Sequence, residues 1–442
     1  MTDQLEQLPP PEPVTTMSRA DKIKSEIVAG GSAAEITDDE LAGGWKGALA
    51  MAAIAGLFVW LYTLNAWWFI FVVGIVISIF LHEAGHFLTA KWTGMKVTQF
   101  FMFMGPRLWS FRKGETEYGV RLIPVGAFVR IIGMHRIDAD VAPEDEGRTY
   151  RQKSFPRRLL VISAGSIMHM IIAITLLFVV YVGQGERTDE LVPEVVVAEA
   201  VAGLPAEQAG IMADDQILSI GGVPLADPSD LGTAVRAFEP GETVDFVVLR
   251  DGAEMVIPVG LGARTDVPES NELFGTAYIG VSPYNPFVYE EHGVVAAAGN
   301  AVTDIVPVAW ESTKGVFKAL NPVNVFGHLS GGNEDLETRP VTLVGVTGLS
   351  DDVGDSEGIF GVLWLLAVLN VFVGVFNMFP LLPLDGGHAA VAIYERVREA
   401  IRGGKQRYFA DVERLMPLAM GVIIFLFAFM FAGLYLDITD PL

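Results

Sequence analysis

Long apolar runs separate the parts of this 442-residue chain that can cross a bilayer from the parts that cannot. Runs close to the roughly 20 residues that a spanning helix needs occur at five places: 47–64, 67–90, 159–183, 358–379 and 415–436. The first two runs are almost continuous and too long for a single crossing, so we predict a helical hairpin that turns at Asn65. One long, tilted helix is the alternative. The pattern predicts a polytopic α-helical membrane protein with four or five transmembrane helices.

Two segments between the apolar runs predict β-structure. In 97–134, aromatic and β-branched residues alternate with polar residues around turns at Gly105–Pro106 and Lys113–Gly114, which predicts a membrane-associated β-region. In 186–264, short β-like runs alternate with one helix-like stretch, and "AGLPAEQAGIMADDQILSIGGVPL" resembles the peptide-groove region of bacterial PDZ domains. That resemblance implies a PDZ-like α+β domain that binds a peptide carboxyl terminus; another small β-rich domain is the alternative.

The distribution of charge orients the chain in the bilayer. Residues 91–158 hold 13 Lys or Arg against 7 Asp or Glu, whereas residues 184–357 hold 29 acids against 7 basic residues. Basic residues in short loops mark the cytoplasmic side, so we expect 91–158 and 394–414 in the cytoplasm and the PDZ-like domain outside. The chain has a net charge of −23 and no basic patch, so we do not expect it to bind nucleic acid. The chain has no cysteine, which excludes disulfides and thiolate metal ligands.

These patterns divide the chain into nine predicted parts. They are a disordered cytoplasmic tail (1–44), N-terminal transmembrane helices (45–92), the membrane-associated β-region (93–140), a transmembrane helix (156–183), the PDZ-like domain (186–264), an extracytoplasmic linker region (265–357), a transmembrane helix that ends in an LDGG motif (358–388), a cytoplasmic helix (389–414) and a last transmembrane helix (415–437).

Three ionisable side chains stand within the second apolar run, in the sequence "HEAGH". His82 and His86 are four residues apart, so on a helix both imidazoles can reach one metal ion, and Glu83 can accept a proton from an attacking water. Ionisable groups inside a membrane are costly and usually functional. A purely structural His–Glu–His cluster that bonds a neighbouring span is the alternative.

A catalytic zinc site usually has three protein ligands, so two imidazoles leave one missing. We favour Asp385, in "NMFPLLPLDGGH" (377–388) at the end of a later span, and three histidines remain as other candidates: His135, His169 and His388. Two prolines in this motif interrupt the helix, and Gly386 and Gly387 are expected to permit tight, unwound backbone. An Asp at membrane depth needs a strong partner, and a zinc ion is such a partner.

The HEAGH motif, the later NxxPxxPLDGG motif and the intervening PDZ-like domain together resemble the site-2 protease family of intramembrane zinc metalloproteases, and most closely its actinobacterial members. The resemblance covers about residues 67–437. It implies that His82, His86 and Asp385 bind Zn²⁺, that Glu83 is the catalytic base, and that Asn377 helps to hold the substrate or the oxyanion.

The chain departs from the family at one motif. Family members commonly carry Gly-Pro-x-x-Asn in the span after the β-region, whereas "GSIMH" here places Ser166 and His169 at the Pro and Asn positions. We expect the His169 imidazole to donate a hydrogen bond near the cleft in place of the Asn, and we leave it out of the metal-ligand set.

The sequence therefore predicts an intramembrane zinc metalloendopeptidase that performs regulated intramembrane proteolysis. The resemblance implies a single-pass membrane protein as substrate, such as an anti-sigma factor, cut within the lipid bilayer after a first cleavage by another protease. An edge strand of the β-region could hold the unwound substrate. A membrane metal transporter and an inactive PDZ-type membrane scaffold are the two alternatives.

Overall fold

The computed structural model describes residues 45–439, apart from nine short gaps at 135–140, 192–193, 226–227, 266–272, 285–286, 333–334, 336–337, 404–407 and 411–414. The predicted tail at 1–44 and His135 lie outside the described residues. The chain forms two compact units: one comprises the chain up to Val180 together with Ala298–Leu442, and the other comprises Tyr181–Ala297.

The helices are α1 (Trp45–Leu64), α2 (Ala66–Trp92), α3 (Phe155–Gly183), α4 (Pro205–Ala209), α5 (Pro228–Arg236), α6 (Val294–Thr303), α7 (Ile305–Ala319), α8 (Pro322–Leu329), α9 (Leu343–Asn377), α10 (Asp385–Ile401) and α11 (Met416–Thr439). The strands are β1 (Val97–Lys113), β2 (Thr116–Ile131), β3 (Glu186–Leu191), β4 (Val195–Ala200), β5 (Gln216–Ile220), β6 (Val223–Pro224), β7 (Thr243–Arg250), β8 (Ala253–Gly260), β9 (Gly262–Ala263), β10 (Ala277–Tyr278), β11 (Val281–Tyr284) and β12 (Phe287–Glu290).

Among the described residues, five helices are long and apolar enough to cross a membrane: α1, α2, α3, α9 and α11. The break between α1 and α2 falls at the predicted residue, because the Asn65 side chain accepts hydrogen bonds from the N–H groups of Trp67 and Trp68 and caps α2. Both α1 and α2 also contact β1 and β2, as the two arms of a hairpin would. The structure therefore favours five spans over four.

Helix α9 is longer than the predicted span at 358–388 and ends before the LDGG motif. It begins at Leu343, bends at Gly358, where φ is 66°, and ends at Asn377. Asp437 of α11 stabilises its beginning, since its carboxylate accepts hydrogen bonds from the N–H groups of Thr342 and Gly345. The last 15 residues of the predicted linker region are therefore helical, and Asp385 opens a separate helix, α10.

The predicted β-region is a pair of long antiparallel strands, β1 and β2, that turn between Lys113 and Thr116, as expected. The second predicted turn, at Gly105–Pro106, lies inside β1, where the register shifts. Residues 99–102 pair with 127–130 on one side and with 117–120 on the other. Both strands must bend back for this pairing, so residues 127–131 form one edge of the sheet.

A buried ion pair joins α3 to α10 and so helps to position the helix that begins with Asp385. The Arg158 guanidinium lies 2.7 Å from the Glu395 carboxylate, and both side chains are buried. The second carboxylate oxygen of Glu395 accepts the N–H of Ala410. A buried charge that loses its partner costs several kcal/mol, roughly 3–5, so this contact strongly favours one placement of α10.

The Tyr181–Ala297 unit contains a sheet in the order β11–β4–β5–β7–β8, with β6 beside β5, and β3 pairs separately with β12. Apolar side chains from these strands and from α4 and α5 form its core. Because β11 pairs with β4, the unit extends well beyond the predicted end of the PDZ-like domain at residue 264. The compact unit itself comprises Tyr181–Ala297.

An ion pair with a fully buried carboxylate stabilises this unit. Asp215 accepts two hydrogen bonds of 2.6 Å from the Arg250 guanidinium and one of 2.9 Å from the N–H of Met212. Burial raises the pKa of Asp215, but these hydrogen bonds outweigh burial and hold the pKa below its ordinary value. The stabilisation is therefore present above the pKa of Asp215 in the unfolded chain and is lost as the pH falls through the lowered folded-state pKa.

We predict that Asp215→Asn lowers the free energy of unfolding of this unit by about 1.5–3 kcal/mol at neutral pH, because Arg250 loses a charged hydrogen-bond partner. Hydrogen–deuterium exchange of the full-length protein in detergent would report faster exchange in β5 and β7. Asp214→Asn is the matched control, since Asp214 is exposed and its φ of 66° suits Asn. Equal protection of β5 and β7 in the two variants would contradict the prediction.

Candidate metal centre

The two histidines of HEAGH lie on one buried face of α2, and α3 fixes their orientation. The Nδ1 atom of His86 lies 2.7 Å from the carbonyl oxygen of Val161, so Nδ1 carries the proton and donates it. The lone pair of His86 is therefore on Nε2, which lies 3.2 Å from Nε2 of His82. A histidine that binds a metal typically donates its other N–H to an acceptor in this way.

The carboxylate of Asp385 completes the group. Its Oδ2 atom lies 3.5 Å from Nε2 of His82 and 3.3 Å from Nε2 of His86. Asp385 is the first residue of α10, and the loop between Asn377 and Leu384, which contains Pro380 and Pro383, reverses the chain so that the carboxylate faces α2. The structure thus brings Asp385 to two histidines that lie about 300 positions earlier in the sequence.

The three facing atoms fit one metal ion. Zinc bonds of about 2.0–2.1 Å in a tetrahedral arrangement place neighbouring ligand atoms about 3.3–3.4 Å apart, and the observed separations are 3.2, 3.3 and 3.5 Å. With lone pairs on the imidazole nitrogens and negative charge on the carboxylate, these atoms would repel one another without a shared cation. In the described part of the chain, one group of three potential metal ligands has all its ligand atoms within 4.8 Å of one another. That group is His82, His86 and Asp385.

The other candidate ligands are placed differently. The ring of His169 lies 5.0 Å from the ring of His82, measured between centroids, and its Nδ1 is engaged by Asn370. His388 lies nearly one turn after Asp385 on α10. Neither joins the three converging ligand atoms. On geometry, Asp385 is therefore the better third ligand.

Glycines let the surrounding backbone approach the site closely. A Cβ atom on Gly165 of α3 would lie 2.2 Å from Cε1 of His82, so only glycine leaves room for that imidazole. Gly386 and Gly387 have a related function, since their added Cβ atoms would lie 2.2 Å from the Met378 carbonyl and 2.6 Å from the Leu381 backbone. The expectation of unwound backbone at these two glycines is wrong: both lie in the first turn of α10, packed against the loop before it.

Asn377, the last residue of α9, reaches the same group. Its Nδ2 donates to Oδ2 of Asp385 at 3.0 Å and lies 3.5 Å from Nε2 of His82. Sequence reasoning missed Asn370, seven residues earlier, whose side chain is buried and bonded to His169. A signal was available, because residues seven apart share a helix face and an Asn inside an apolar span is unusual.

Glu83 connects the site to the β-region. The backbone N–H of Val129 in β2 is directed toward the Glu83 carboxylate. Residues 127–131 form an edge of the sheet and pair with β1 on the opposite side. One edge of the sheet therefore lies directly beside Glu83.

Comparison with known proteins identifies the family. The model of Peptidase family M50 matches residues 70–430, and this range contains every residue of the site. The chain is 31% identical over 404 residues to the zinc metalloprotease Rip1 of Mycolicibacterium smegmatis, covering 84% of this chain and 97% of the relative. It is 30% identical over 401 residues to Rip1 of Mycobacterium tuberculosis, with the same coverage.

The family match spans four of the five apolar helices entirely or in large part, both strands beside Glu83 and the three converging side chains. The two relatives match over nearly their whole length. The chain is a multi-pass membrane protein that belongs to peptidase family M50, the family of the site-2 proteases.

Proposed function

We propose that this chain is a zinc metalloendopeptidase that cleaves other membrane proteins within, or just beside, a transmembrane segment. One observation carries the proposal: His82 and His86, on a helix of membrane-spanning character, converge with Asp385 at separations suited to zinc, and Glu83 lies next to them. The relatives named zinc metalloproteases support the same metal and the same reaction.

The proposed roles follow from the chemistry of each side chain. Zinc, when bound, supplies Lewis-acid chemistry that polarises a carbonyl group and makes water more acidic. His82, His86 and Asp385 hold the metal, and the Asn377 amide orients the Asp385 carboxylate by its 3.0 Å hydrogen bond. Glu83 accepts the proton of the attacking water and transfers it to the leaving nitrogen. Asn377 is also close enough to the ligands to contact the substrate carbonyl.

The edge of β2 beside Glu83 is suited to hold the substrate. A helix in a membrane hides its backbone in internal hydrogen bonds, so the substrate must be unwound before its peptide carbonyl can be attacked. An extended peptide can add to a sheet edge through main-chain hydrogen bonds. Residues 127–131 would then align the scissile bond, since the N–H of Val129 already points to Glu83.

The Tyr181–Ala297 unit supports a second, outer recognition step. Strand β11 ends the sheet, and α5 packs near β10 and β4 at the same side. PDZ domains bind a peptide terminus between an edge strand and a helix, so we place the groove here. The proposed substrate is a single-pass protein, such as an anti-sigma factor, already shortened by a first protease. The basic segments 91–158 and 394–414 place the metal centre near the cytoplasmic side and this unit outside.

The two alternatives receive less support. A metal transporter needs ligands at successive depths along a path, whereas the three ligand atoms lie within 4.8 Å of one another. An inactive scaffold would have no need for a carboxylate at position 83 beside a complete ligand set. Membership of a peptidase family agrees with neither alternative.

A pair of carboxylate variants tests the assigned roles. We expect Glu83→Gln to keep about one zinc per chain while cleavage of a transmembrane model substrate falls by about 10² or more, the scale of general-base catalysis. We expect Asp385→Ala to lose zinc and cleavage together, because two imidazoles are one ligand short. Metal analysis of both purified proteins beside wild type decides the matter. Full zinc in Asp385→Ala would remove Asp385 from the site, and zinc loss in Glu83→Gln would make Glu83 structural.

The sheet-edge proposal predicts an effect of backbone N–H groups. The N–H of Val129 points away from β1, and N–H groups alternate along a strand, so the N–H of Ala127 points the same way. Ala127→Pro removes that donor at an edge, where proline is tolerated, and should weaken cleavage while zinc content stays normal. Ala127→Gly keeps the N–H and serves as the control. Normal cleavage by the folded proline variant would exclude strand addition at this position.

Removal of the outer unit tests its role as a filter. Glu186 of β3 pairs with Glu290 of β12, so a short Gly-Ser linker can replace residues 187–289 without separating the ends. We expect this variant to bind zinc, to cut shortened substrates as wild type does, and to cut full-length substrates as well. A folded, zinc-loaded variant with no activity on shortened substrates would instead make the unit part of the catalytic machinery.

A further inference from the structure

His169 has no place in the metal-ligand set, yet the fold holds it beside that set. It lies on α3 one turn after Gly165, whose backbone packs on the ring of His82, and its own ring centroid is 5.0 Å from that of His82. The residue is only 3% exposed. A buried imidazole in this position needs an explanation beyond packing.

The hydrogen bonds of Asn370 fix which nitrogen of His169 carries the proton. Nδ2 of Asn370 donates to the carbonyl of Leu366 at 2.8 Å, which sets the orientation of the amide. The Oδ1 atom of Asn370 therefore faces Nδ1 of His169, at 2.8 Å, and requires a proton there. A neutral imidazole protonated at Nδ1 has its lone pair on Nε2 and can only accept at that atom. The expected donor role of a neutral His169 toward the cleft is thus reversed.

The acceptor atom of His169 makes no hydrogen bond with any described residue, although it lies within the ring that stands next to His82. An unwound substrate brings backbone N–H groups into this region, and each such group costs free energy unless it finds an acceptor. Resting on the proposed peptidase function, we propose that Nε2 of His169 accepts a hydrogen bond from a backbone N–H of the unwound substrate next to the scissile bond, and that Asn370 locks His169 in the accepting form.

This proposal makes His169 a substrate-positioning residue and gives it a signature that a packing role lacks. Replacing one substrate N–H with an ester oxygen removes the donor at a single backbone position. That substitution should weaken binding of the peptide when His169 is present and should leave binding unchanged when the His169 acceptor has been removed. The comparison is a double-mutant cycle between enzyme and substrate.

The experiment measures binding of a transmembrane model peptide to full-length Glu83→Gln protein in detergent, so that turnover does not interfere. A series of peptides carries one backbone ester at successive positions around the cleavage site. We expect one ester position to weaken binding about tenfold, the size of one hydrogen bond, and His169→Phe to abolish that difference. His169→Asn, which keeps an acceptor oxygen, should retain part of it, and Asn370→Leu should reduce it.

Zinc content is measured for every variant and is expected to equal that of the Glu83→Gln parent. Ester effects that are identical with and without the His169 acceptor would overturn the proposal. Zinc loss in His169→Phe would also overturn it, because His169 would then support His82. Failure of the peptidase function itself would appear elsewhere, as absent cleavage by the wild-type protein or zinc loss in Glu83→Gln, so the two failures are distinguishable.

Discussion

The requirement that every polar group in hydrocarbon find a partner governs the arrangement of this protein. Three electron-rich atoms from His82, His86 and Asp385 meet in one buried group, and a cation shared between them relieves their mutual repulsion. Two polar groups around them support this group: the Val161 carbonyl accepts from His86, and the Asn377 amide donates to Asp385. The architecture near the site is therefore a way of satisfying atoms that lipid cannot solvate.

Close approach of backbones makes this arrangement possible. Helix α3 can press against the His82 imidazole because residue 165 lacks a side chain, and α10 can begin directly on the preceding loop because residues 386 and 387 lack one. The Arg158–Glu395 pair then holds α10 against α3 from a position two to three turns further along. Small residues at the helix contacts and the nearby buried ion pair together position the Asp385 carboxylate.

The parts that could be predicted from the sequence are those with local signatures. The HEAGH spacing, the apolar runs and the interruption at Asn65 each depend on neighbouring residues, and the structure agrees with them. The predictions that differ most from the structure concern pairings between distant segments. The residues near 264 do not indicate that β11 pairs with β4. The strand-like pattern around Gly105 likewise does not indicate that residues 99–102 have strand partners on both sides. The tautomer of His169 likewise depends on Asn370, about 200 positions away.

The capping of α9 by Asp437 has a consequence for the timing of assembly. The first turn of the helix that ends in Asn377 is bonded by Asp437, 95 positions after Thr342, and Glu395 of α10 is bonded to Ala410. During synthesis the Asp437 contact forms only after α11 has emerged, and the Glu395 contact forms only after residue 410 has emerged. A nascent chain that ends shortly after Asp385 would thus carry all three candidate ligands and still lack the contacts that fix the two helices on either side of Asp385.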